Sequence, residues 1–178
     1  ISQDENLRTE YCKVVTTLAS KTAAAKPTPF HFMLRALDNA RLLARLYTQN
    51  IDSLESKVGF DLLDHSGKAR CIALHGSLLD LRCDSCSEPS SLEGLFHLLK
   101  IGVLPICCNT QRTLPTLRER TRPCGTLYPD IVLYDEPVKD EEYITAAVNS
   151  DIRKCAKKTV LLIAGTSLTI PGVIQMIK

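Results

Sequence analysis

The chain has 178 residues, enough for one domain with a small appendage and too few for two full-sized domains. Hydrophobic residues make up 44% and charged residues 24%, which excludes a disordered, collagen-like or coiled-coil chain. A formal net charge of +2 argues against wholesale polyanion binding, and no apolar run reaches the ~18 residues that span a bilayer. The polar opening, Ile1 to Glu10, has no signal-peptide stretch, and because it does not begin with Met the chain is expected to be a fragment or a processed form.

In chain order, Phe30–Arg45 carries Phe30, Met33, Leu34, Leu37 and Ala40 at three- and four-residue steps behind Pro29, predicting a helix that runs into a strand over Leu43–Thr48. A second strand is expected over Ala69–Leu74 and a third over Asp130–Tyr134. Glu141–Lys157, acidic at its start and basic at its end, reads as a helix aligned with its dipole. A fourth strand is expected over Thr159–Ala164. Near-continuous apolar strands alternating with amphipathic helices predict an α/β domain with a parallel sheet covered on both faces.

The segment from about Leu81 to about Tyr128 breaks this rhythm with clustered cysteines, prolines and the arginines Arg112, Arg118, Arg120 and Arg122. Eight cysteines in a chain long and apolar enough to build a core point to a metal site in a reducing, intracellular compartment rather than to a disulfide framework. Cys83-Asp-Ser-Cys86 is a two-residue knuckle, and zinc takes four such sulfur or imidazole ligands in a tetrahedron. Cys83, Cys86 and Cys107 are the expected ligands, with Cys108 in the fourth place and Cys124 as its alternative, since neighbouring thiolates seldom reach one ion without strain. Cys12, Cys71 and Cys155 are expected to pack in the core.

In open α/β sheets ligands bind beyond the carboxyl ends of the strands. Those ends carry Thr48-Gln49-Asn50-Ile51-Asp52, His75-Gly76, Asp135-Glu136 and Gly165-Thr166-Ser167. Small, polar and titratable residues at all four ends suggest a cleft for a polar, phosphate-bearing ligand. Taken singly, each element has a plain structural reading: a core histidine, helix caps at Gln49, Asn50 and Asp52, and a turn at Gly165-Thr166-Ser167.

Read together, AKPTPFH (Ala25–His31), TQNIDSLE (Thr48–Glu55), ALHGSL (Ala73–Leu78), the CDSC knuckle, PDIVLYDEP (Pro129–Pro137) and AGTSLTIPGV (Ala164–Val173) resemble the sirtuins, the NAD-dependent protein lysine deacylases. The forms LYTQNID, PDIVLY and GTSLTIPGV are most similar to the fungal histone-deacetylating homologues of silent information regulator two. The resemblance implies a Rossmann-like NAD-binding domain over residues 1–80 and 129–178, with a zinc-ribbon insertion over 81–128. It implies His75 as the base that activates a ribose hydroxyl of NAD, an imidazole being able to accept a proton near neutral pH. Gln49, Asn50 and Asp52 would face the nicotinamide ribose, and Gly165, Thr166 and Ser167 would contact NAD. Val132 and Tyr134 would line the acetyl-lysine tunnel of a peptide added as an extra strand, with Asp135 standing where sirtuins usually carry Gly.

The implied reaction has the acetyl oxygen attack the anomeric carbon of the nicotinamide ribose, nicotinamide leave, and the intermediate collapse after His75 takes a proton from a ribose hydroxyl. Free lysine, nicotinamide and O-acetyl-ADP-ribose result, zinc stays structural, and acetylated histones in a nuclear, chromatin-silencing setting are the implied partners. The family's glycine-rich Gly-Ala-Gly-x-Ser loop and Asp-Phe-Arg segment have no counterpart in Ile1–Lys26, and its last strand is expected beyond Lys178. The chain by itself is therefore expected to bind NAD weakly and to show little deacetylase activity. Two other readings are a sirtuin-like binding scaffold and a zinc-ribbon nucleic-acid binder that uses Arg112 to Arg122, whose binding would fall steeply with salt.

Overall fold

Cys12, Val15, Thr16, Ala19 and Thr22 recur at three- and four-residue steps and form the buried stripe of a 20-residue helix, α1 (Glu5–Ala24). The stripe is built of small and β-branched residues, so its apolar contrast with the exposed face is weak. In the computed structural model, residues 5–62, 68–108, 124–132, 140–154 and 159–177 are described.

The second helix, α2 (Pro29–Asn39), starts one residue before the expected position and ends six residues early. Pro29 stands in its first turn, and Thr28 and His31 form a reciprocal capping box in which the Thr28 amide donates to His31 Nδ1 at 3.2 Å. The helix stops at Ala40 because the next residue, Arg41, takes a left-handed φ of 58°.

Strands β1 (Leu46–Thr48) and β2 (Cys71–Ala73) lie inside the first two expected strands and pair in parallel, Leu46 with Cys71 and Thr48 with Ala73. A 3-10 turn, Ser56–Val58, lies between them. The next strand, β3 (Gly76–Cys83), is the centre of an antiparallel sheet flanked by β4 (Pro89–Ser91) and β5 (Leu127–Ile131). The short helix α3 (Phe96–Lys100) follows β4.

The third expected strand thus begins at Leu127 instead of Asp130 and joins the antiparallel sheet. It pairs with β3, whose own alternating pattern the sequence reading passed over. Helix α4 (Glu141–Lys154) begins where expected, and α5 (Pro171–Ile177) closes the described chain. The fourth expected strand is corrected: Val160, Leu161, Leu162 and Ile163 form no strand and are exposed, with no neighbouring strand among the described residues to receive their amides.

Three apolar clusters hold these elements. The largest joins Cys12, Val15 and Ala19 of α1 to Leu81, Leu92, Leu99, Leu104 and Leu127, so the cysteine-bearing segment has a hydrophobic core as well as its thiols. Ala69, Ile72 and Leu74 pack with Ala147 of α4, and Leu34 of α2 packs with Phe60 and Cys71. Cys12 and Cys71 are fully buried, as expected for packing cysteines; burial pushes both thiols up, with nearby Glu55 adding to the effect at Cys71. Cys155 lies outside the described residues.

Candidate functional site

The loop after β1 and the turn after β2 are sewn together by backbone bonds. The Leu74 amide donates to the Thr48 carbonyl at 2.8 Å, and the Leu78 amide donates to the Ile51 carbonyl at 2.9 Å. The buried hydroxyls of Ser53 and Ser77 meet at 2.8 Å. These contacts hold the loop that carries Gln49, Asn50 and Asp52 against the turn that carries His75, as adjacent parallel strand ends require.

His75 Nδ1 lies 3.1 Å from the main-chain carbonyl of Gln49. A carbonyl only accepts, so the neutral ring carries its proton on Nδ1 and keeps a free lone pair on Nε2. The half-buried ring is thereby fixed in orientation and able to take a proton at its outer nitrogen. Thr166 donates its hydroxyl to Gln49 Oε1 at 3.3 Å, which joins the distant Gly165-Thr166-Ser167 loop to the same group and leaves the Gln49 amide hydrogens for another acceptor. Ser167 and Gly165 are exposed, and the Ser167 hydroxyl meets that of Thr169 at 3.0 Å.

Asp52 does cap its own turn, since its Oδ1 accepts from the Leu54 amide at 3.2 Å. Asn50 is exposed, and its main-chain N–H donates to the Thr48 hydroxyl at 3.2 Å. On the far side of His75, the Val132 amide donates to the His75 carbonyl at 3.0 Å, so the end of β5 runs directly beside the histidine. Tyr134 and Asp135 lie outside the described residues, as do Arg112, Arg118, Arg120 and Arg122.

The cysteines form a second centre. The sulfurs of Cys83, Cys86, Cys107 and Cys124 all lie within 4.8 Å of one another. Cys83 and Cys124 are 3.9 Å apart and Cys86 and Cys107 3.7 Å apart, close to the ~3.8 Å edge of a tetrahedron with Zn–S bonds of ~2.3 Å. Four thiols and no carboxylate make a donor set that suits zinc. Their crowding pushes the Cys124 thiol up to about 12, through desolvation first and then hydrogen bonds with Cys86 and Cys83. A bound dication would reverse that balance, because Cys83, Cys86, Cys107 and Cys124 would ligate it as thiolates.

At the fourth place the structure corrects the sequence reading, which had put Cys108 there ahead of Cys124. The Cys107 amide donates to the Gly125 carbonyl at 2.9 Å, and the Leu127 amide donates to the Pro105 carbonyl at 2.8 Å. This antiparallel bridge carries Cys124 to Cys107. Neighbouring residues of an extended backbone point to opposite faces, so Cys107 is buried while Cys108 is exposed. Asp84 ties the two knuckles, its Oδ1 accepting from the Thr126 amide at 2.9 Å. The sequence signal for Cys124 is the glycine after it: a Cβ on Gly125 would lie 2.2 Å from Asp84 Oδ1.

Comparisons with known proteins give the family. The Sir2 family model matches residues 2–172. The NAD-dependent protein deacetylase hst4 of Emericella nidulans is 35% identical over 184 residues, covering 100% of this chain and 31% of its own length. The NAD-dependent histone deacetylase HST3 of Saccharomyces cerevisiae is 34% identical, over 94% of this chain and 41% of its own. A solved structure described as "The Structural basis of Sirtuin Substrate Affinity" has a TM-score of 0.62 at 21% identity, over 87% of this chain and 53% of that one. The chain thus spans about a third to two fifths of the length of these curated relatives. With the family model matching nearly every residue, the chain belongs to the Sir2 family.

Proposed function

We propose that this chain carries the base, part of the dinucleotide site and the zinc ribbon of an NAD-dependent protein lysine deacetylase. The observation that carries the reading is the His75 ring: Nδ1 is engaged by the Gln49 carbonyl, and Nε2 is free to accept a proton. In this reading His75 is the general base for a ribose hydroxyl. The Gln49 amide, oriented by Thr166, donates to an oxygen of the ligand. Asn50 offers its exposed amide to the same ligand, and the Asp52 carboxylate supplies negative charge where positive charge develops. Gly165, Thr166 and Ser167 border the dinucleotide, and Val132 with Tyr134 borders the acetyl-lysine. Bound NAD would supply the electrophilic anomeric carbon and nicotinamide as leaving group.

Cys83, Cys86, Cys107 and Cys124 would hold zinc as a structural ion. The names of the fungal relatives, histone deacetylases among them, support acetylated histones as substrates and a nuclear, chromatin-associated setting.

Nicotinamide release by the full-length protein, measured with an acetylated histone peptide, tests the reading. His75→Ala is expected to lower turnover by about 10²–10⁴-fold with one zinc per chain retained. Deacetylation that proceeds without NAD, or turnover that survives His75→Ala, overturns it.

A further inference from the structure

Among the described residues, one guanidinium spends its whole fork on two carboxylates from separate parts of the chain. Arg82, near the end of β3, directs Nε to both oxygens of Asp130, at 3.0 and 2.9 Å. Its Nη1 and Nη2 reach the two oxygens of Asp140, at 3.2 and 2.8 Å. The three side chains are 18%, 12% and 31% exposed, so the pairs are shielded enough for the geometry to count. Asp130 belongs to β5, and Asp140 is the residue before α4, held at a left-handed φ of 60°. Arg82 thus joins the last strand of the antiparallel sheet to the start of α4.

The register between β3 and β5 needs such a grip. Gly76 pairs with Ile131 and Ser77 with Asp130, but the next pair is Leu81 with Pro129, so Leu78, Leu79 and Asp80 bulge out of the ladder. Pro129 has no N–H to give, which weakens the ladder at the same point. A slip by one residue would turn every β5 side chain to the other face and break the bond from the Val132 amide to His75. Gly76 shows how closely the register is set, since a Cβ there would lie 1.8 Å from the Asp130 carbonyl oxygen. Asp130, Val132 and Asp140 line one hollow with Leu74, Gly76 and Tyr143, so both of Arg82's partners border the same hollow as Val132 and the chain neighbours of His75.

We propose that Arg82 is a positioning residue for the substrate strand: by gripping Asp130 and Asp140 together it fixes the register in which Val132 stands against His75. The inference rests on the deacetylase reading and assigns the peptide side of that site a support remote from the reacting atoms. Lysine cannot replace the fork, because an ammonium is a point charge with no planar pair of donors. Asp140→Asn removes one ion pair and leaves the Arg82–Asp130 pair inside the sheet.

Two readouts on the full-length protein test this. Amide hydrogen exchange is followed by mass spectrometry over Tyr128–Val132, and steady-state kinetics are measured with an acetyl-lysine peptide and NAD varied separately. Arg82→Lys and Asp140→Asn are each expected to speed exchange over Tyr128–Val132 by about tenfold, converting to ~1.4 kcal/mol, while leaving the zinc content unchanged. The KM for peptide should rise about tenfold, with kcat and the KM for NAD within about twofold of wild type. Unchanged exchange in both variants overturns the proposal, as does an equal loss in kcat and in both KM values. If the wild-type protein turns over no substrate, the deacetylase reading fails, and the exchange measurement alone decides whether Arg82 sets the register.

Discussion

Asp151 accepts from Arg45 Nε at 2.6 Å and from the Tyr47 hydroxyl at 2.7 Å, and so ties α4 to the start of β1. Burial alone would raise its carboxyl, but the hydrogen bonds from Arg45 and Tyr47 and the charge of Arg45 outweigh it and hold the group below its ordinary 3.8. Desolvation first, then the bond to Asp151, pushes the Tyr47 hydroxyl upward. Because the Asp151 pKa is lowered on folding, its stabilisation is present above 3.8 and is lost as pH falls through the folded value.

Asp151→Asn removes the carboxylate that faces the Arg45 guanidinium, which is only 7% exposed. The expected cost is about 2–3 kcal/mol near pH 7, a fall in Tm of roughly 4–10 °C. Thermal melts at neutral pH and below pH 4 check this, with the two proteins converging at the acid end; a constant difference across pH would refute it. Single residues of this kind were the least legible in the sequence. Gln49 and His75 stand out in the sequence because they follow the apolar segments that form β1 and β2, whereas the segment ahead of Thr166 forms no strand. The partners Arg45 and Asp151 are separated by 106 positions and carry no motif, so only the fold reveals them.

Elements were legible where apolar periodicity was strong. The aromatic and leucine-rich α2 and the charge-graded α4 were expected from their pattern, as were the cores of β1 and β2. Helix α1 was not, because threonine, alanine and cysteine make a buried stripe with little contrast. Its C-terminus is held from outside: Lys57 Nζ donates to the carbonyls of Thr22, Ala23 and Ala25 at 2.7, 2.9 and 2.8 Å. Lys57 sits in the turn just after the Gln49–Glu55 loop, so the cap couples α1 to the loop that carries the candidate ligand-binding amides. Lys57→Met keeps the aliphatic stem and loses the three bonds, at an expected cost of about 1 kcal/mol with partial exposure allowed for. Hydrogen exchange should rise in the last turn of α1 before anywhere else, and unchanged protection there would show that the cap is idle.

At the scale of the molecule the distribution of core residues sets what zinc supports. The cluster containing Cys83 and Cys107 also contains Cys12, Val15 and Ala19, so α1 packs on the ribbon rather than on the parallel strands. The clusters around Ile72 with Ala147 and around Leu34 with Phe60 share no residue with it. The fold class was readable from the alternation of strands and helices, but this partition was not. It depends on which apolar faces meet, and a helix with a weak stripe gives no sign of its partner.

Structural zinc in small cysteine sites contributes about 10–16 kcal/mol, as much as the whole stability of an ordinary domain of about 5–15 kcal/mol. Losing it should therefore melt whatever cores directly on the ribbon. Cys124→Ser is expected to bind no zinc and to lose exchange protection across α1, α3 and the end of β3, with β1, β2 and α4 keeping theirs. Cys108→Ser is expected to hold one zinc per chain and to match wild type throughout. Zinc content by metal analysis and exchange by mass spectrometry decide between the outcomes. Loss of zinc in the Cys108 variant would return the fourth place to that residue, and uniform loss of protection in the Cys124 variant would mean that the three clusters unfold as one.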